Sequence, residues 1–131
     1  MPDLQLVLVT PETTLLDEPV TALRFPLFDG QVGVLPGRAP LVGRLGYGEL
    51  KVTAAAGERS YFIDGGFVQV KGSTVSLLTN RAMPTGDVSA DEAQSLLDRA
   101  GTSAPHTDAE FASRDRDLER ARRMLALARR A

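Results

Sequence analysis

The fold of this chain is decided by residues 30–41, which read Gly30-Gln31-Val32-Gly33-Val34-Leu35-Pro36-Gly37-Arg38-Ala39-Pro40-Leu41. Glycine allows positive φ and close backbone approach, whereas proline fixes φ and lacks an amide hydrogen. Valines and leucines are interspersed among the three glycines and two prolines. The stretch therefore predicts a tightly specified path between strands and not a flexible linker.

Short apolar runs on both sides of this stretch predict β-structure over the first two-thirds of the chain. The predicted strands are 4–9, 20–25, 48–53, 59–63, 67–70 and 75–78. Strands separated by Gly and Pro turns, with no helical segment between them, indicate an antiparallel β-sandwich or barrel, and we expect the sandwich. Its core is expected to contain the alternate residues Leu6, Leu8, Leu50, Val52, Phe67 and Val75.

Beyond Asn80 the apolar period becomes helical. Ser89 is a hydroxyl N-cap for a first helix that Gly101 is predicted to end. A second helix, beginning near Thr107 or Asp108, repeats an apolar residue every seven positions: Phe111, Leu118 and Leu125. The fold class is thus mainly β with C-terminal α. It comprises a β-sandwich domain over residues 1–86 and a two-helix antiparallel hairpin over residues 87–131.

The charge of the chain is unevenly distributed. Residues 1–113 carry eight Lys and Arg against fourteen Asp and Glu, whereas residues 114–131 carry seven Arg against three acidic residues. Such a basic arm indicates a polyanionic partner or an acidic protein surface. The alternative is a helix that its arginines keep soluble. Sparse aromatics and the acidic body argue against nucleic acid as a partner.

The sequence offers few candidate catalytic groups, of which Asp64 is one. There is no cysteine, the single His106 lies in a predicted interhelical turn, and no metal-ligand motif or phosphate-binding Gly-Lys-Ser/Thr sequence occurs. Asp64-Gly65-Gly66 is interpreted as a β-turn or bulge that redirects a strand. We therefore expect no catalytic residue, no metal and no activity of the chain alone. Without a signal peptide or a spanning segment, we expect contact with a membrane only through partners.

Residues 30–41 resemble the GxxGxxPGHxPL signature of the epsilon subunit of F-type ATP synthase, with Arg38 where that family usually has His. Residues 62–70, Phe62-Ile63-Asp64-Gly65-Gly66-Phe67-Val68-Gln69-Val70, resemble its (Y/F)-x-x-GG-(hydrophobic)-x-x-V segment. The resemblance implies a non-catalytic rotor subunit of a proton-translocating ATP synthase, peripheral on the cytoplasmic face of a bacterial plasma membrane. The alternative function is a free-standing β-sandwich adaptor that binds an acidic protein or RNA.

The resemblance also implies partners and contact residues. The sandwich of that family binds the gamma subunit and the c-ring loops, which implicates Gly30, Gln31, Val32, Gly33 and Arg38. Gln31 stands where the family often has Glu. The helical hairpin of the family either folds down or extends toward the alpha and beta subunits and inhibits ATP hydrolysis. The candidate residues for this contact are Arg116, Arg120, Arg122 and Arg123.

Some members of the family bind ATP through an (I/L)DxxRA motif in the first helix. The corresponding residues here are 88–93, in which Ser89 replaces the Asp and Glu92 replaces the Arg with the opposite charge. Residues 117–121 spell DxxRA, but in the second helix. We therefore expect no cofactor and no tight binding of ATP.

Overall fold

The computed structural model describes residues 3–37 and 40–130 (of Arg130 the backbone only), which belong to two units, Met1–Pro84 and Thr85–Ala131. The strands of the first unit are β1 Leu4–Val9, β2 Thr14–Val20, β3 Ala22–Leu27, β4 Gly30–Val34, β5 Leu41–Ala54, β6 Gly57–Lys71, β7 Thr74–Leu78 and β8 Ala82–Pro84. The second unit contains a 3₁₀ turn at Thr85–Asp87 and the helices α1 Ala90–Thr102 and α2 Asp108–Arg130.

The strands of the first unit pair in the order β2-β1-β7-β6-β5-β3-β4, and β8 pairs with β6. The long strand β6 pairs with β5 along almost its whole length, and on its other side it pairs with β8 near its start and with β7 near its end. The predicted mainly-β fold with a C-terminal helical pair is confirmed. One pairing differs from the prediction, since β1 and β7 run parallel. These strands lie far apart in the sequence, so no hairpin turn constrains their direction.

The core of the sandwich consists of inward-facing aliphatic and aromatic side chains. Five of the six predicted core residues are buried, and Phe67 is the exception because 58% of its surface is exposed. On β6, Val68 and Val70 are buried against the core. Successive side chains of a strand point to opposite faces, so Phe67 must point outward.

Two predicted strand limits were wrong. The predicted strand 20–25 is divided between β2 and β3 at Thr21, whose amide donates to the Thr53 carbonyl at 2.8 Å. Pro26 was expected to end the strand but lies inside β3. The pairing of β3 with β5 shifts between Arg24 and Leu27. A proline is tolerated at such a bulge because no ladder hydrogen bond is required from it there.

The Asp64-Gly65-Gly66 segment lies inside β6 and does not reverse the chain. The pairing of β5 with β6 keeps one register from Leu41 opposite Val70 to Ala54 opposite Gly57. Both glycines have positive φ, 67° and 113°, so the backbone is locally distorted within a continuous strand. The two predicted strands 59–63 and 67–70 are therefore one.

The helices of the second unit begin as predicted. Ser89 caps α1 and accepts from the Glu92 amide at 3.1 Å, and Thr107 accepts from the Glu110 amide at 3.1 Å at the start of α2. Gly101 does not end α1, which continues to Thr102. Side chains satisfy the terminal carbonyls instead: the Ser103 hydroxyl donates to Ala100 O at 2.9 Å, and Arg114 of α2 donates to the same oxygen at 3.0 Å.

The seven-residue stripe of α2 is only partly buried. Leu125 is buried and Leu118 half-buried, but Phe111 is 49% exposed. The buried side of α2 lies toward its C-terminal end, where Ala121, Met124 and Leu127 accompany Leu125. These positions follow the helical period, so the burial is concentrated where α2 has its highest density of apolar residues.

Candidate functional site

Strand β4 carries the predicted contact residues and lies at one end of the sheet, paired with β3 in the part of the chain that the structure describes. Gly30, Gln31 and Gly33 are exposed along it, whereas Val32 is half-buried and packs against the core. Arg38 lies outside the described residues. An edge strand presents backbone N–H and C=O groups that a second chain can pair with. The structure therefore assembles three of the five candidates on one accessible edge.

A second surface on the same unit, which the sequence analysis missed, is an apolar face made of Phe28, Val42, Phe67 and Leu78. These side chains are 70%, 77%, 58% and 51% exposed, respectively. They lie next to one another because Phe67 is directly opposite Leu78 of β7 and diagonal to Val42 of β5. Contiguous exposed apolar side chains of this kind mark interaction sites more often than scattered single ones do.

Arg44 lies in the middle of the apolar face. It is directly opposite Phe67, and its carbonyl accepts from the Phe28 amide at 2.9 Å. Its guanidinium carbon is 5.0 Å from the centre of the Phe28 ring, a cation–π distance. The side chain is exposed, so the face combines large apolar area with one positive charge.

Gly66 allows the close approach of β6 and β7 under the apolar face. A Cβ atom there would lie 1.9 Å from the Leu78 carbonyl oxygen and 2.8 Å from the Thr79 Cα. Real Cβ atoms do not approach backbone atoms this closely, so only glycine fits without moving β7. The glycine thus places Phe67 beside Leu78.

The four arginines of α2 that were predicted as contact residues fall into two groups, those that form an ion pair within the helix and those that do not. Arg120 pairs with Asp117 at 2.8 Å and Arg123 with Glu119 at 3.6 Å, both within the helix. Arg116 and Arg122 are exposed and make no ion pair within the described residues. Arg116, Arg120 and Arg123 follow the helical period on one side, whereas Arg122 lies on another.

The described residues contain no cluster of three or more His, Cys, Asp or Glu that could hold a metal ion. Within them, neither helix is both long and apolar enough to cross a membrane. His106 lies between α1 and α2, where its backbone amide donates to a Glu110 carboxylate oxygen at 2.7 Å.

The fold and its surfaces define a binding subunit built from a β-sandwich and a helical hairpin. Residues 3–85 match the family model described as ATP synthase, Delta/Epsilon chain, beta-sandwich domain. The ATP synthase epsilon chain of Rhodopirellula baltica is 42% identical over 123 residues, which cover 94% of this chain and 96% of that protein. That of Jannaschia sp. is 37% identical over 97 residues, which cover 74% of each.

Solved structures agree with this assignment. A chain in the cryo-EM structure of Euglena gracilis mitochondrial ATP synthase, OSCP/F1/c-ring, has a TM-score of 0.84 and 27% identity, over 96% of this chain and 81% of that one. A chain of the Tetrahymena thermophila mitochondrial ATP synthase central stalk/c-ring structure, at 15% identity and a TM-score of 0.78, supports the fold alone. The chain belongs to the ATP synthase epsilon chain family. It is a non-catalytic rotor subunit of an F-type ATP synthase, and the free-standing adaptor is not favoured.

Proposed function

We propose that the apolar face docks on the gamma subunit while the β4 edge meets the c-ring loops, so that the sandwich couples the two within the rotor. The observation that carries this proposal is the cluster of four apolar side chains of one unit, each more than half exposed, of which three lie on adjoining strands and Phe28 lies in the β3–β4 turn. The Euglena structure contains F1 and a c-ring, and the Tetrahymena structure is of a central stalk with its c-ring. The Euglena match supports F1 and the c-ring as neighbours of this chain, and the family resemblance of the sequence is the ground for proposing gamma.

The apolar face is large enough to contribute substantially to docking. Burial of a large apolar side chain stabilises a complex by about 1.5–3 kcal/mol when it is complete. Since these side chains still expose half or more of their surface, covering each one yields about 1–2 kcal/mol. A few residues of this kind at the centre of an interface commonly carry most of its binding free energy.

The β4 edge adjoins this face at the tip of the β3–β4 hairpin. Phe28 belongs to the apolar face, and Gly30 and Gln31 follow it after Asp29 on the exposed edge. One hairpin therefore contributes to both surfaces, so a force received at the edge passes directly into the gamma-docking face. Gln31, a neutral amide, hydrogen-bonds the c-loops without a charge pair. We place the assembly on the cytoplasmic face of a bacterial plasma membrane, with membrane contact only through partners.

The helical hairpin serves regulation in this proposal. When extended, α2 faces acidic residues of the alpha and beta subunits and inhibits ATP hydrolysis. Arg116 and Arg122, which make no ion pair in the described chain, are the first candidates for that contact. Arg120 and Arg123 already pair with carboxylates of α2, and these ion pairs must break before either arginine can pair with a carboxylate of the alpha or beta subunit. Their net contribution to the binding free energy is therefore smaller.

We also propose that the hairpin has no tight ATP site. The Ser89 hydroxyl already accepts the Glu92 amide as N-cap, and Glu92 places a carboxylate where the ATP-binding motif has an arginine. A carboxylate repels a triphosphate. Titration calorimetry of the full chain with ATP should give no micromolar affinity, and a micromolar dissociation constant would contradict the proposal.

Phe67→Ala tests docking on gamma. In the full chain it should weaken binding to the gamma subunit of the same enzyme by about five- to thirtyfold, from the apolar area lost. Phe111→Ala is the matched control, because it removes the same side chain from a similarly exposed site in the other unit. Biolayer interferometry measures both. Equal affinities for the two variants would refute the apolar face as the docking surface.

A further inference from the structure

We infer that the protein surface covering the apolar face presents a carboxylate to Arg44, so that this arginine selects the partner as well as binding it. The inference rests on the proposed docking of the gamma subunit on this face. It adds a requirement that apolar contact alone does not impose. The partner must carry an Asp or Glu side chain within hydrogen-bond reach of one defined guanidinium, in the middle of an apolar patch.

The position of Arg44 makes its burial unavoidable when the face is covered. It lies on β5, directly opposite Phe67, and shares its strand face with Val42 two residues away. The backbone of Phe28 is bonded to it from the other side. A partner that contacts both Phe28 and Phe67 therefore also covers Arg44.

A guanidinium enclosed in this way needs acceptors. It has five N–H donors and no acceptor of its own. The Phe28 ring lies on one side at 5.0 Å, which favours the cation but supplies no strong hydrogen-bond acceptor. Among the ion pairs of residues 3–37 and 40–130, none involves Arg44. Burial of an unpaired charge is strongly unfavourable, so the acceptors must come from the partner.

A carboxylate fits this requirement better than backbone carbonyls do. Stacking on Phe28 restrains the plane of the guanidinium and leaves its edges free for in-plane donors. Two parallel N–H groups of that edge match both oxygens of one carboxylate, which gives a bidentate and charge-assisted pair. Ion pairs at a water-exposed rim contribute little, but a partner that covers Phe28, Val42 and Phe67 shields the pair at Arg44 from solvent.

Arg24 offers a matched comparison on the same unit. It is exposed on β3, with Gly33 on one side and Lys51 on the other, and Lys51 pairs with Glu58 at 3.4 Å. It is not part of the apolar face, and its cross-strand neighbour Lys51 is charged. A charge reversal at Arg24 therefore changes the net charge of the chain by the same amount as one at Arg44 without touching the proposed contact.

The experiment compares Arg44→Glu, Arg44→Met and Arg24→Glu in the full chain, binding the gamma subunit of the same enzyme at 50 mM and 300 mM NaCl. We expect Arg44→Glu to weaken binding by about thirtyfold or more and Arg44→Met by about tenfold. Arg24→Glu should stay within about threefold of the unmodified chain. Charge reversal of one gamma Asp or Glu to Arg should restore binding of Arg44→Glu but not of Arg24→Glu. Circular dichroism confirms that each variant is folded.

Two results distinguish the inferred carboxylate at Arg44 from the proposed docking of gamma on the apolar face. If Phe67→Ala weakens binding while Arg44→Glu and Arg24→Glu bind equally, the apolar face docks on gamma but no carboxylate meets Arg44, and the inference is wrong. If neither Phe67→Ala nor Arg44→Glu weakens binding, the docking face itself is wrong. Failure of every gamma charge reversal to rescue Arg44→Glu also overturns the inference.

Discussion

Gly66→Ala is the sharpest test of how the sandwich is built. The substitution adds one methyl group at a position with φ of 113°, directly against β7. The added Cβ would lie 1.9 Å from the Leu78 carbonyl oxygen, which belongs to the backbone and not to a flexible side chain. Relief of that overlap therefore requires β6 and β7 to separate locally.

The expected loss of stability has two parts. A non-glycine residue at such a φ costs about 1–3 kcal/mol in backbone strain. Overpacking adds about 1–3 kcal/mol, since the opposing backbone must move by roughly 1 Å before the contact is tolerable. Gly57→Ala isolates the first part, because Gly57 has a similar φ of 129° but nothing within 4 Å of its added Cβ. Gly66→Ala should therefore be the less stable variant by about 1–3 kcal/mol.

Urea unfolding followed by tyrosine fluorescence measures the difference. Both tyrosines, Tyr47 and Tyr61, lie in the first unit and the chain has no tryptophan, so the signal reports on the sandwich alone. With a denaturant slope of about 1–3 kcal/mol per molar, Gly66→Ala should unfold at a urea concentration about 1 M below that of Gly57→Ala. Coincident midpoints for the two variants would refute the steric account of Gly66.

Three further outcomes are expected in the hairpin. Arg114→Ala removes the hydrogen bond to Ala100 O and should lower the free energy of local opening at the end of α1, measured by hydrogen exchange, by about 1–2 kcal/mol. The control is Arg116→Ala, which removes an exposed arginine and should change that free energy by under about 0.5 kcal/mol. Equal effects of the two substitutions would show that Arg114 does not stabilise the end of α1. Ser89→Ala should cost the first turn of α1 about 1 kcal/mol by the same measurement, and unchanged exchange would contradict it. Removal of residues 87–131 should raise ATP hydrolysis by the assembled enzyme, and an unchanged rate would argue against inhibition.

The parts of the fold that were predicted correctly from the sequence are those determined by residues close to one another in the chain. Ser89 and Thr107 are hydroxyl residues placed just before amphipathic segments, and both do accept an amide at the helix start. The end of α1 was misplaced because its terminal carbonyls are satisfied partly by Arg114, fourteen residues away from Ala100. A glycine is a dependable stop only where nothing else satisfies those carbonyls.

The pairing of strands has non-local causes, and there the prediction was incomplete. The parallel alignment of β1 with β7 joins residues about seventy positions apart, for which the sequence carries no turn signal. The double glycine at residues 65 and 66 is also ambiguous by itself. It predicts a turn when read locally, but in the sandwich it accommodates the close approach of β7 and leaves β6 continuous.

The two candidate surfaces also differ in whether their residues are close together in the sequence. The β4 edge was predicted through its resemblance to a family signature, because its residues are contiguous in the sequence. The apolar face was not, because its members come from four separate segments that only the sheet brings together. A local signal for it nevertheless exists. Residues two apart on a strand share a face.

For the three members of the apolar face that lie on strands, this rule identifies a polar residue on the same face. Phe67 shares its face with Gln69, Val42 with Arg44, and Leu78 with Ser76. An apolar residue in the core of a sandwich would alternate with polar neighbours and not share its face with them. The mixture recurs on three adjoining strands, and it is compatible with the proposed docking of this face on the gamma subunit. In the proposed complex the apolar members would supply docking free energy, and the polar companions would reduce the apolar area that the unbound face presents to water.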